Sequence, residues 1–324
     1  MFIRSAMVGF GHYLPPKILT NDDLSHMVET NDEWIRTRTG IVVRHIAEGE
    51  TTSILAGKAV ENAIKNAGLT PQDIDLLILA TVTPDNTTPA TATLIARNLG
   101  FRVGVPAFDI SAACSGFIYA LALADNMIRL GQVKTAVVVG AECLSKIVDW
   151  QDRNTCVLFG DGAGAVVLRA VKGTGTPDDT GVLSTCIYAD GSQYEHLKTT
   201  GGVSSTQNAG FVQMDGKEVF KHAVVSLAEA AENAMQKAHI NKNAVNWLIP
   251  HQANIRIIES VGERLDIAPQ KVIVTVDHHG NTSAASIPLA LSENIEQKRL
   301  HKGDVVVLTA MGAGFTWGGA VVRI

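Results

Sequence analysis

The sequence contains no apolar run that approaches the roughly 18 residues a membrane-spanning helix requires, so we expect no membrane segment. It has no excess of basic residues either, with 27 Lys and Arg against 32 Asp and Glu, and this balance argues against nucleic acid as a partner. Only four cysteines occur, without CxxC spacing, which favours free thiols in a reducing cytosol. Within the first 16 residues, Gly and Pro occur too early for the apolar segment of a signal peptide. We therefore expect a cytoplasmic protein.

The residues that are present predict a compact α/β protein. Hydrophobic residues make up 46% of the chain and charged residues 18%, which is typical of a globular fold. Residues 219–238 carry apolar side chains at a helical period. Short apolar runs rich in β-branched residues indicate strands buried on both faces, as in a sheet covered by helices. These runs are 76–80, 136–139, 272–276 and 305–308. We expect two mixed sheets packed around shared helices.

The chain also repeats itself. Three pairs of segments match in the same order along the two parts of the chain, which indicates a duplicated unit. The pairs are 59–67 plus 75–78 with 230–238 plus 246–249, 135–140 with 304–309, and 162–168 with 318–324. We predict an N-terminal half over 1–172 and a C-terminal half over 173–324.

Cys114 is the first candidate functional residue. It follows a predicted strand end at 108–110, and small residues flank it within 112–116, before a predicted helix over 115–129. A thiol at a helix N-terminus feels the positive end of the dipole, so we expect its thiolate to be favoured. The small neighbours leave room for backbone N–H groups to approach a substrate carbonyl. The other three cysteines are predicted to be buried and inert.

His251 and Asn281 complete a possible catalytic set. Each follows or sits beside an apolar run that reads as a strand, and working residues collect at strand ends in α/β sheets. A cysteine, a histidine and an asparagine supply a nucleophile and two hydrogen-bond donors for a carbonyl oxygen. Asn281 alone would be read as an ordinary turn residue.

We expect no metal and no nucleotide site. His278 and His279 are adjacent, but no carboxylate or cysteine stands at ligand spacing along the chain. The glycine-rich stretches 160–164 and 312–314 lack the strand–GxGxxG–helix frame and the P-loop lysine. Loops whose backbone N–H groups face an oxyanion fit these stretches better.

At these motifs the chain resembles the thiolase superfamily and, within it, the β-ketoacyl-acyl-carrier-protein synthase III family. The resemblance runs along the whole length. The matching segments are 31–34 with 38–40, 111–117, 149–150 with 152–153, 159–164, 251–256, 280–288 and 314–318. It implies a thiolase-like fold of two similar α/β halves in a five-layer αβαβα arrangement, usually as a homodimer.

The resemblance also implies an activity without a cofactor. An acyl-CoA primer would acylate Cys114, and malonyl-acyl-carrier protein would then lose CO2 and condense with the acyl group, which initiates fatty acid synthesis. His251 and Asn281 would hold the enolate oxygen. Backbone N–H groups of Cys114 and Ala313 would hold the second oxyanion, although relatives usually have glycine where Ala313 stands.

Binding residues come from the same resemblance. Those implied for CoA are Trp34, Arg38 and Arg153. Those implied for the acyl-carrier protein are Gln252, Ala253, Asn254, Ile255, Arg256 and Lys221. Phe159 and Thr88 would line the primer pocket. Thr88 stands where some relatives carry a phenylalanine that narrows the pocket, so we expect tolerance of primers longer than acetyl.

Several alternatives compete with this interpretation. A thiolase would need a second cysteine as base in the C-terminal half, and none follows Cys186. Elongating ketosynthases carry a second histidine in place of Asn281. Relatives that serve specialised pathways with other acyl primers share the Cys-His-Asn set and stay open. A cysteine protease uses the same residue types, but the duplication would be unexplained. A carrier-protein-binding module without activity would require an unreactive Cys114.

Overall fold

The computed structural model describes residues 2–324. The strands are β1 (Phe2–Tyr13), β2 (Lys17–Thr20), β3 (Val43–Ile46), β4 (Leu76–Ala80), β5 (Ala107–Ile110), β6 (Thr135–Glu142), β7 (Gly162–Gly173), β8 (Gly181–Ala189), β9 (Leu197–Thr199), β10 (Val212–Met214), β11 (Trp247–Pro250), β12 (Val305–Gly312) and β13 (Thr316–Arg323). The helices are α1 (Asn21–Ser25), α2 (Asp32–Thr39), α3 (Thr52–Asn66), α4 (Thr91–Asn98), α5 (Gly116–Arg129), α6 (Val203–Thr206), α7 (Gly216–Ala238), α8 (Ile255–Arg264), α9 (Val276–His279) and α10 (Ser286–Glu296).

Two mixed sheets have the same internal order. The first runs β1-β7-β6-β4-β5 and the second runs β8-β13-β12-β11. In the first, β4 is parallel to β5 and β6, while β6–β7 and β7–β1 are antiparallel. In the second, β11 is parallel to β12, while β12–β13 and β13–β8 are antiparallel. The repeated segments of the sequence therefore form equivalent strands and helices, and the two sheets confirm the duplication. The boundary at 172/173 stays a prediction, since β7 ends at Gly173 and β8 begins at Gly181.

Helices separate and cover the two sheets. The central helices α5 and α10 share one buried core with residues of both sheets. A second core joins the outer face of the first sheet to α3 and α4, and a third joins the second sheet to α7 and α8. The layers thus alternate helix, sheet, helix, sheet, helix, as expected for the thiolase-like fold.

One predicted strand is wrong. Residues 272–276 make only a single parallel bridge, between Leu248 and Val272, and α9 begins at Val276. The physical reason is the buried side chain of Gln252, whose Oε1 accepts the N–H groups of Thr275 and Val276 at 2.7 and 3.1 Å. Those donors are therefore not available for a strand partner. The predicted helix over 219–238 is confirmed as part of α7.

Two equivalent turns lead into the central helices. A 3₁₀ turn over Ala113–Ser115 precedes α5, and another over Ser283–Ala285 precedes α10. Ala113 and Ser283 both adopt positive φ, at 47° and 51°. A Cβ on Gly116 would meet that of Ala284 at 3.4 Å, so the two turns lie against each other. No helix within residues 2–324 combines the length and the apolar character that a bilayer crossing demands.

Candidate active site

A cavity of about 1540 Å³ opens beside these two turns. Cys114 from the first half lines it, together with His251 and Asn281 from the second half. Three side chains that are far apart in the sequence therefore face one space. Cys114 follows β5 of the first sheet and His251 follows β11 of the second sheet, whereas Asn281 lies in the turn between α9 and α10.

The turn that carries Cys114 is tied to the β12–β13 hairpin. The Ser115 hydroxyl lies 2.7 Å from the Ala112 carbonyl oxygen and 2.8 Å from the Thr316 hydroxyl. Thr316 Oγ1 in turn lies 3.0 Å from the Ala112 carbonyl oxygen. A Cβ at Gly312 would overlap the backbone nitrogen of Cys114. The hairpin backbone thus packs directly behind the nucleophile.

The thiol of Cys114 is protonated at rest. Burial raises the pKa of Cys114 to about 12, although a hydrogen bond from the Ser283 side chain lowers it in part. This direction is opposite to the one that the helix N-terminus predicts, and the expectation of a favoured thiolate stays a prediction. Loss of water around the sulfur disfavours the charged form, and a protonated thiol must lose its proton during acyl transfer.

A buried carboxylate stands behind the nucleophile. Glu142, the last residue of β6, accepts hydrogen bonds from the Val82 N–H and from the hydroxyl of Thr83 at 2.7 Å. Burial raises the pKa of Glu142 to about 7, and a hydrogen bond with the Ser283 side chain lowers it in part. Its negative charge also raises the pKa of Cys114. The Ser283 side chain therefore lowers the pKa of both the thiol and this carboxylate.

His251 is a neutral hydrogen-bond donor. Burial lowers its pKa to about 3, so the ring carries no charge at neutral pH. Its Nδ1 lies 2.7 Å from the Ser286 hydroxyl, and that oxygen already accepts the N–H of Gln252 at 3.4 Å. The Ser286 proton is then free to be donated to Nδ1, which leaves the ring proton on Nε2. An Nε2–H group can donate to an oxygen that gains negative charge.

The amide of Asn281 is fixed in one orientation. Its Oδ1 accepts the N–H of Ser283 at 2.9 Å, which leaves Nδ2 as the donor for a ligand. Its backbone pairs with the segment around Phe159, through the Asn281 N–H to Leu158 and the Gly160 N–H back to Asn281. The preceding Gly280 has φ of 67°, a conformation that favours glycine. The carboxamide is thus held ready for a second hydrogen bond.

The residues predicted for the second oxyanion and for the primer pocket do not all line the cavity. Ala313 and Phe159 line the cavity. Thr88 is exposed and does not line it within residues 2–324 of the single chain, whereas its neighbours Asn86 and Thr87 do. The role of Thr88 in a primer pocket has no support from the single chain and stays a prediction.

The residues predicted for CoA lie together at the rim. The Arg153 guanidinium stacks 4.7 Å over the Trp34 ring. Trp34 and the exposed Arg38 line the cavity. Asn31 caps α2 by accepting the Trp34 N–H at 2.8 Å, which fixes the ring's position. An aromatic face and two guanidinium groups at a cavity mouth suit a nucleotide with phosphates.

The segment predicted to bind a carrier protein is only partly at the surface. Gln252 is fully buried and holds the backbone of residues 273–276, so it is not available to a protein partner. Asn254 caps α8 and donates to the Arg38 carbonyl at 3.0 Å. Ala253 and Ile255 are half-buried, whereas Arg256 and Lys221 are exposed. The two cations are therefore the exposed charged groups of this set, although Lys221 Nζ lies 3.4 Å from Glu218 and the Arg256 guanidinium lies over the Phe220 ring.

Sequence reasoning missed Glu142, Ser283 and Ser286. The carboxylate stands at the carboxyl end of a buried strand, which is where working residues collect in α/β sheets, so its position was a usable signal. The two serines lie within the small-residue run after Asn281 and had no signal of their own.

Family models and known proteins match this chain over both of its halves. A family model described as "3-Oxoacyl-[acyl-carrier-protein (ACP)] synthase III" matches residues 108–191, and its companion for the C terminal part matches residues 235–324. A β-ketoacyl-[acyl-carrier-protein] synthase III of Rhodospirillum centenum is 56% identical over 324 residues, which is 100% of both chains. The same enzyme of Paramagnetospirillum magneticum is 53% identical over 325 residues, again 100% of both.

A solved structure has the same fold. The crystal structure of 3-oxoacyl-[acyl-carrier-protein] synthase III from Aquifex aeolicus superposes with a TM-score of 0.93 at 48% identity. The match covers 99% of this chain and 100% of that one. Similarity therefore extends over both halves, the cavity and the turns that line it.

Proposed function

The chain belongs to the β-ketoacyl-[acyl-carrier-protein] synthase III family, and from that premise we propose that Cys114, His251 and Asn281 carry out its condensation. The protein is an acyltransferase of the condensing type. It joins an acyl-CoA primer to malonyl-acyl-carrier protein with loss of CO2 and of CoA, and gives a 3-oxoacyl-acyl-carrier protein. This is the initiating condensation of fatty acid synthesis.

The first half-reaction is acyl transfer to Cys114. The sulfur attacks the thioester carbon of acyl-CoA, the bond from that carbon to the CoA sulfur breaks, and the thiol proton ends on CoA. Because the Cys114 pKa is about 12 in the free protein, the proton leaves as the new bond forms. The N–H groups of Cys114 and Ala313 would hold the tetrahedral oxyanion, in a turn fixed by Ser115 and Thr316.

The second half-reaction is decarboxylative condensation. The malonyl group loses CO2, and the electron pair of the broken bond forms an enolate on the thioester. His251 Nε2–H and Asn281 Nδ2–H donate to the enolate oxygen, where the charge develops. The enolate carbon then attacks the acyl group, and the Cys114 thiolate that leaves takes up a proton. The equation balances with the two substrates and one proton from water, so we propose that no cofactor takes part.

The observation that carries this proposal is the convergence of three residues in one cavity, with a neutral His251 held as an Nε2–H donor. If the His251 ring were turned so that Nε2 faced Ser286, or if its proton lay on Nδ1, no N–H group would be left to donate to a substrate oxygen. No other donor described at this site would replace the Ser286 hydroxyl beside His251 or the amide of Asn281.

The test separates the two half-reactions. Incubation with radiolabelled acetyl-CoA should label the protein with one acyl group, and Cys114→Ala should abolish both the label and condensation. His251→Ala and Asn281→Ala should still be labelled, yet lose decarboxylation of malonyl-acyl-carrier protein by about 100- to 1,000-fold.

Cys186→Ala is the matched control, because it removes a buried sulfur that does not line the cavity. It should acylate like the unaltered protein. Label that persists in Cys114→Ala, or decarboxylation retained in both donor variants, would contradict the role assignment. Absence of label in the unaltered protein would instead favour a binding module without activity.

Substrate binding is proposed for the rim of the cavity. Trp34, Arg38 and Arg153 would hold the CoA nucleotide and phosphates, and exposed Arg256 and Lys221 would attract the acidic carrier protein. Arg256→Glu should raise the KM for malonyl-acyl-carrier protein and leave acylation by acetyl-CoA unchanged. A changed acylation rate with an unchanged KM would assign Arg256 to the first half-reaction instead.

The preferred primer decides between two related functions. A specialised condensing enzyme with a longer or different primer would have the same three residues and the same cavity. A series of acyl-CoA primers of increasing length, with malonyl-acyl-carrier protein as the second substrate, separates the two. We expect acetyl-CoA and somewhat longer primers to react, while exclusive use of a long or branched primer would support the specialised function.

We further propose a cytoplasmic homodimer, as the family resemblance implies. All four cysteines are free thiols, which suits a reducing compartment. Light scattering coupled to gel filtration should give twice the 34.4 kDa chain mass. A monomer mass would refute the dimer without touching the catalytic assignment.

A further inference from the structure

A second cluster of chemistry-bearing residues lies outside the cavity. His278 and His279 form the last turn of α9, and Glu293 projects from α10 beside them. None of the three lines the catalytic cavity. The sequence argument against a metal rested on spacing along the chain, and the fold supplies the carboxylate that this spacing lacks. We propose that His278, His279 and Glu293 bind one divalent transition-metal ion, with zinc as the expected occupant.

The ligand atoms are close to metal-binding geometry. His278 Nε2 lies 3.0 and 3.1 Å from the two carboxylate oxygens of Glu293. His279 Nε2 lies 3.4 Å from Glu293 Oε2, and one ligand atom from each residue falls within 4.8 Å of the others. Tetrahedral zinc with bonds of about 2.0 to 2.2 Å holds neighbouring ligand atoms roughly 3.3 to 3.5 Å apart. Only small side-chain shifts are needed.

The hydrogen bonds around the cluster leave one position that a metal ion can take from a proton. Asp277 Oδ1 lies 2.8 Å from His278 Nδ1 and accepts its N–H group, while Nε2 of the same ring can donate a second proton to the Glu293 carboxylate. A metal ion would replace the proton between Nε2 and Glu293 and leave the bond to Asp277 in place. Histidines that bind metals usually donate their other ring N–H to a carboxylate in this way. The Nδ1 atom of His279 is buried and has no partner within residues 2–324, so only the Nε2 side of this ring belongs to the cluster.

The burial of the cluster allows both retention and entry of an ion. His279 is almost fully buried, Glu293 is mostly buried, and the His278 side chain is 41% exposed. An ion can thus enter from the His278 side, where water completes the coordination. Two imidazoles and one carboxylate favour zinc or another late first-row ion over Mg²⁺ or Ca²⁺, which prefer oxygen ligands.

The position of the cluster gives it a structural consequence. The ion would join α9 to α10, and the chain between these helices contains Asn281 and Ser283. Binding to the native state alone stabilises it, because the unfolded chain does not hold the three ligands together. Added Zn²⁺ should therefore raise the unfolding midpoint.

The test titrates Zn²⁺ into the full-length protein after removal of metals with a chelator. Calorimetry should detect one equivalent per chain, and the unfolding midpoint should rise with Zn²⁺ concentration. Glu293→Gln and His278→Gln should each weaken binding by at least about 100-fold, and Asp277→Asn by about 10- to 100-fold. His301→Gln is the matched control, an exposed histidine outside the cluster, and should bind as the unaltered protein does.

Co²⁺ separates this site from the thiols. Cobalt held by nitrogen and oxygen ligands lacks the near-ultraviolet band of a cobalt–thiolate bond. Cys114→Ala should keep the binding, and each cluster variant should still unfold in a single cooperative transition in chelator, which shows that it folds. Zn²⁺ binding that is absent, unchanged in Glu293→Gln and His278→Gln, or lost in Cys114→Ala would overturn the proposal.

Discussion

At the scale of single residues, the site depends on hydroxyl groups that touch its catalytic candidates. Ser286 lies 2.7 Å from His251 Nδ1, and the Ser283 side chain lowers the pKa of both Cys114 and Glu142. A buried ring or thiol has few neighbours, so each of these contacts has a large influence on where a proton resides. The tautomer of His251 is thereby fixed by a residue that does not itself touch a substrate.

Ser286→Ala is expected to slow decarboxylation and to spare acylation. Without the Ser286 hydroxyl the ring proton of His251 is no longer held on Nε2, and the donor is present for only part of the time. We expect a loss on the order of tenfold, smaller than the 100- to 1,000-fold loss for removal of a donor. Rates of malonyl-acyl-carrier protein decarboxylation and of acetyl labelling measure the two steps.

Ser292→Ala is the control for that substitution. Ser292 lies on the same helix, is equally buried, and bonds to His12 at 2.9 Å. An equal loss of decarboxylation in both variants would mean that α10 has been disturbed and that the tautomer is not the cause.

At the scale of elements, glycines show where backbone packing positions the site and where it does not. A Cβ on Gly57 in α3 would contact nothing within 4 Å, whereas one on Gly312 would overlap the nitrogen of Cys114. The same chemical change is therefore expected to have opposite consequences in the two elements. The space around the backbone decides whether an added methyl group is tolerated or harmful.

Gly57→Ala is expected to stabilise the protein. Gly57 lies within α3 with no obstacle around it, and glycine in a helix interior costs about 0.5 to 1 kcal/mol relative to alanine. The free energy of unfolding measured in urea should rise by that amount with unchanged activity. A decrease would show that α3 needs a close approach at this position.

Gly312→Ala is expected to disable acylation. The new methyl group must push β12 away from the turn that carries Cys114, and a misplacement of about 1 Å costs about 100-fold in rate. Acetyl labelling of Cys114 measures the effect, with Gly57→Ala as the control for an added methyl group. Normal labelling in Gly312→Ala would show that close packing of the β12–β13 hairpin against Cys114 is not needed to position the oxyanion site.

At the scale of the whole molecule, the two halves form one interlocked unit. The central helices α5 and α10 share a core with both sheets, and the buried ion pair of Arg4 and Asp179 joins β1 to the segment before β8 at 3.0 Å. The protonation of groups buried in such a unit is coupled to its free energy of unfolding, because unfolding exposes these groups to water. Glu142 is the clearest case.

Glu142→Gln is expected to change how stability depends on pH. The folded pKa of Glu142 is about 7, above the ordinary value of 4.5, so between these values the folded protein holds a proton that the unfolded chain has lost. The stability of the unaltered protein relative to Glu142→Gln should fall as pH rises from about 4.5 to 7, by about 3 kcal/mol in total, and then level off. Urea unfolding of both proteins across this range gives the difference. A difference that stays constant, or that grows with pH, would mean that Glu142 is ionised in the folded state throughout.

Much of the architecture could be predicted from the sequence because it depends on local patterns. Apolar runs identified β4, β6 and β12, and the repeat identified the equivalent strands of the second sheet. The predicted strand over 272–276 failed, because a glutamine side chain distant in sequence satisfies its backbone donors. Periodicity reports which residues are buried, not which group pairs with each N–H.

The sequence by itself determined which residue types were available: one cysteine amid small residues after a predicted strand, a histidine and an asparagine in the second half, and a duplicated frame. Only the tertiary structure decided their chemical states and their neighbours. Burial sets the pKa of Cys114 and of His251, and the fold brings Glu142 to the thiol and Glu293 to the histidine pair. The physical reason is that desolvation and short-range contacts depend on distance in space, and distance along the chain does not report it.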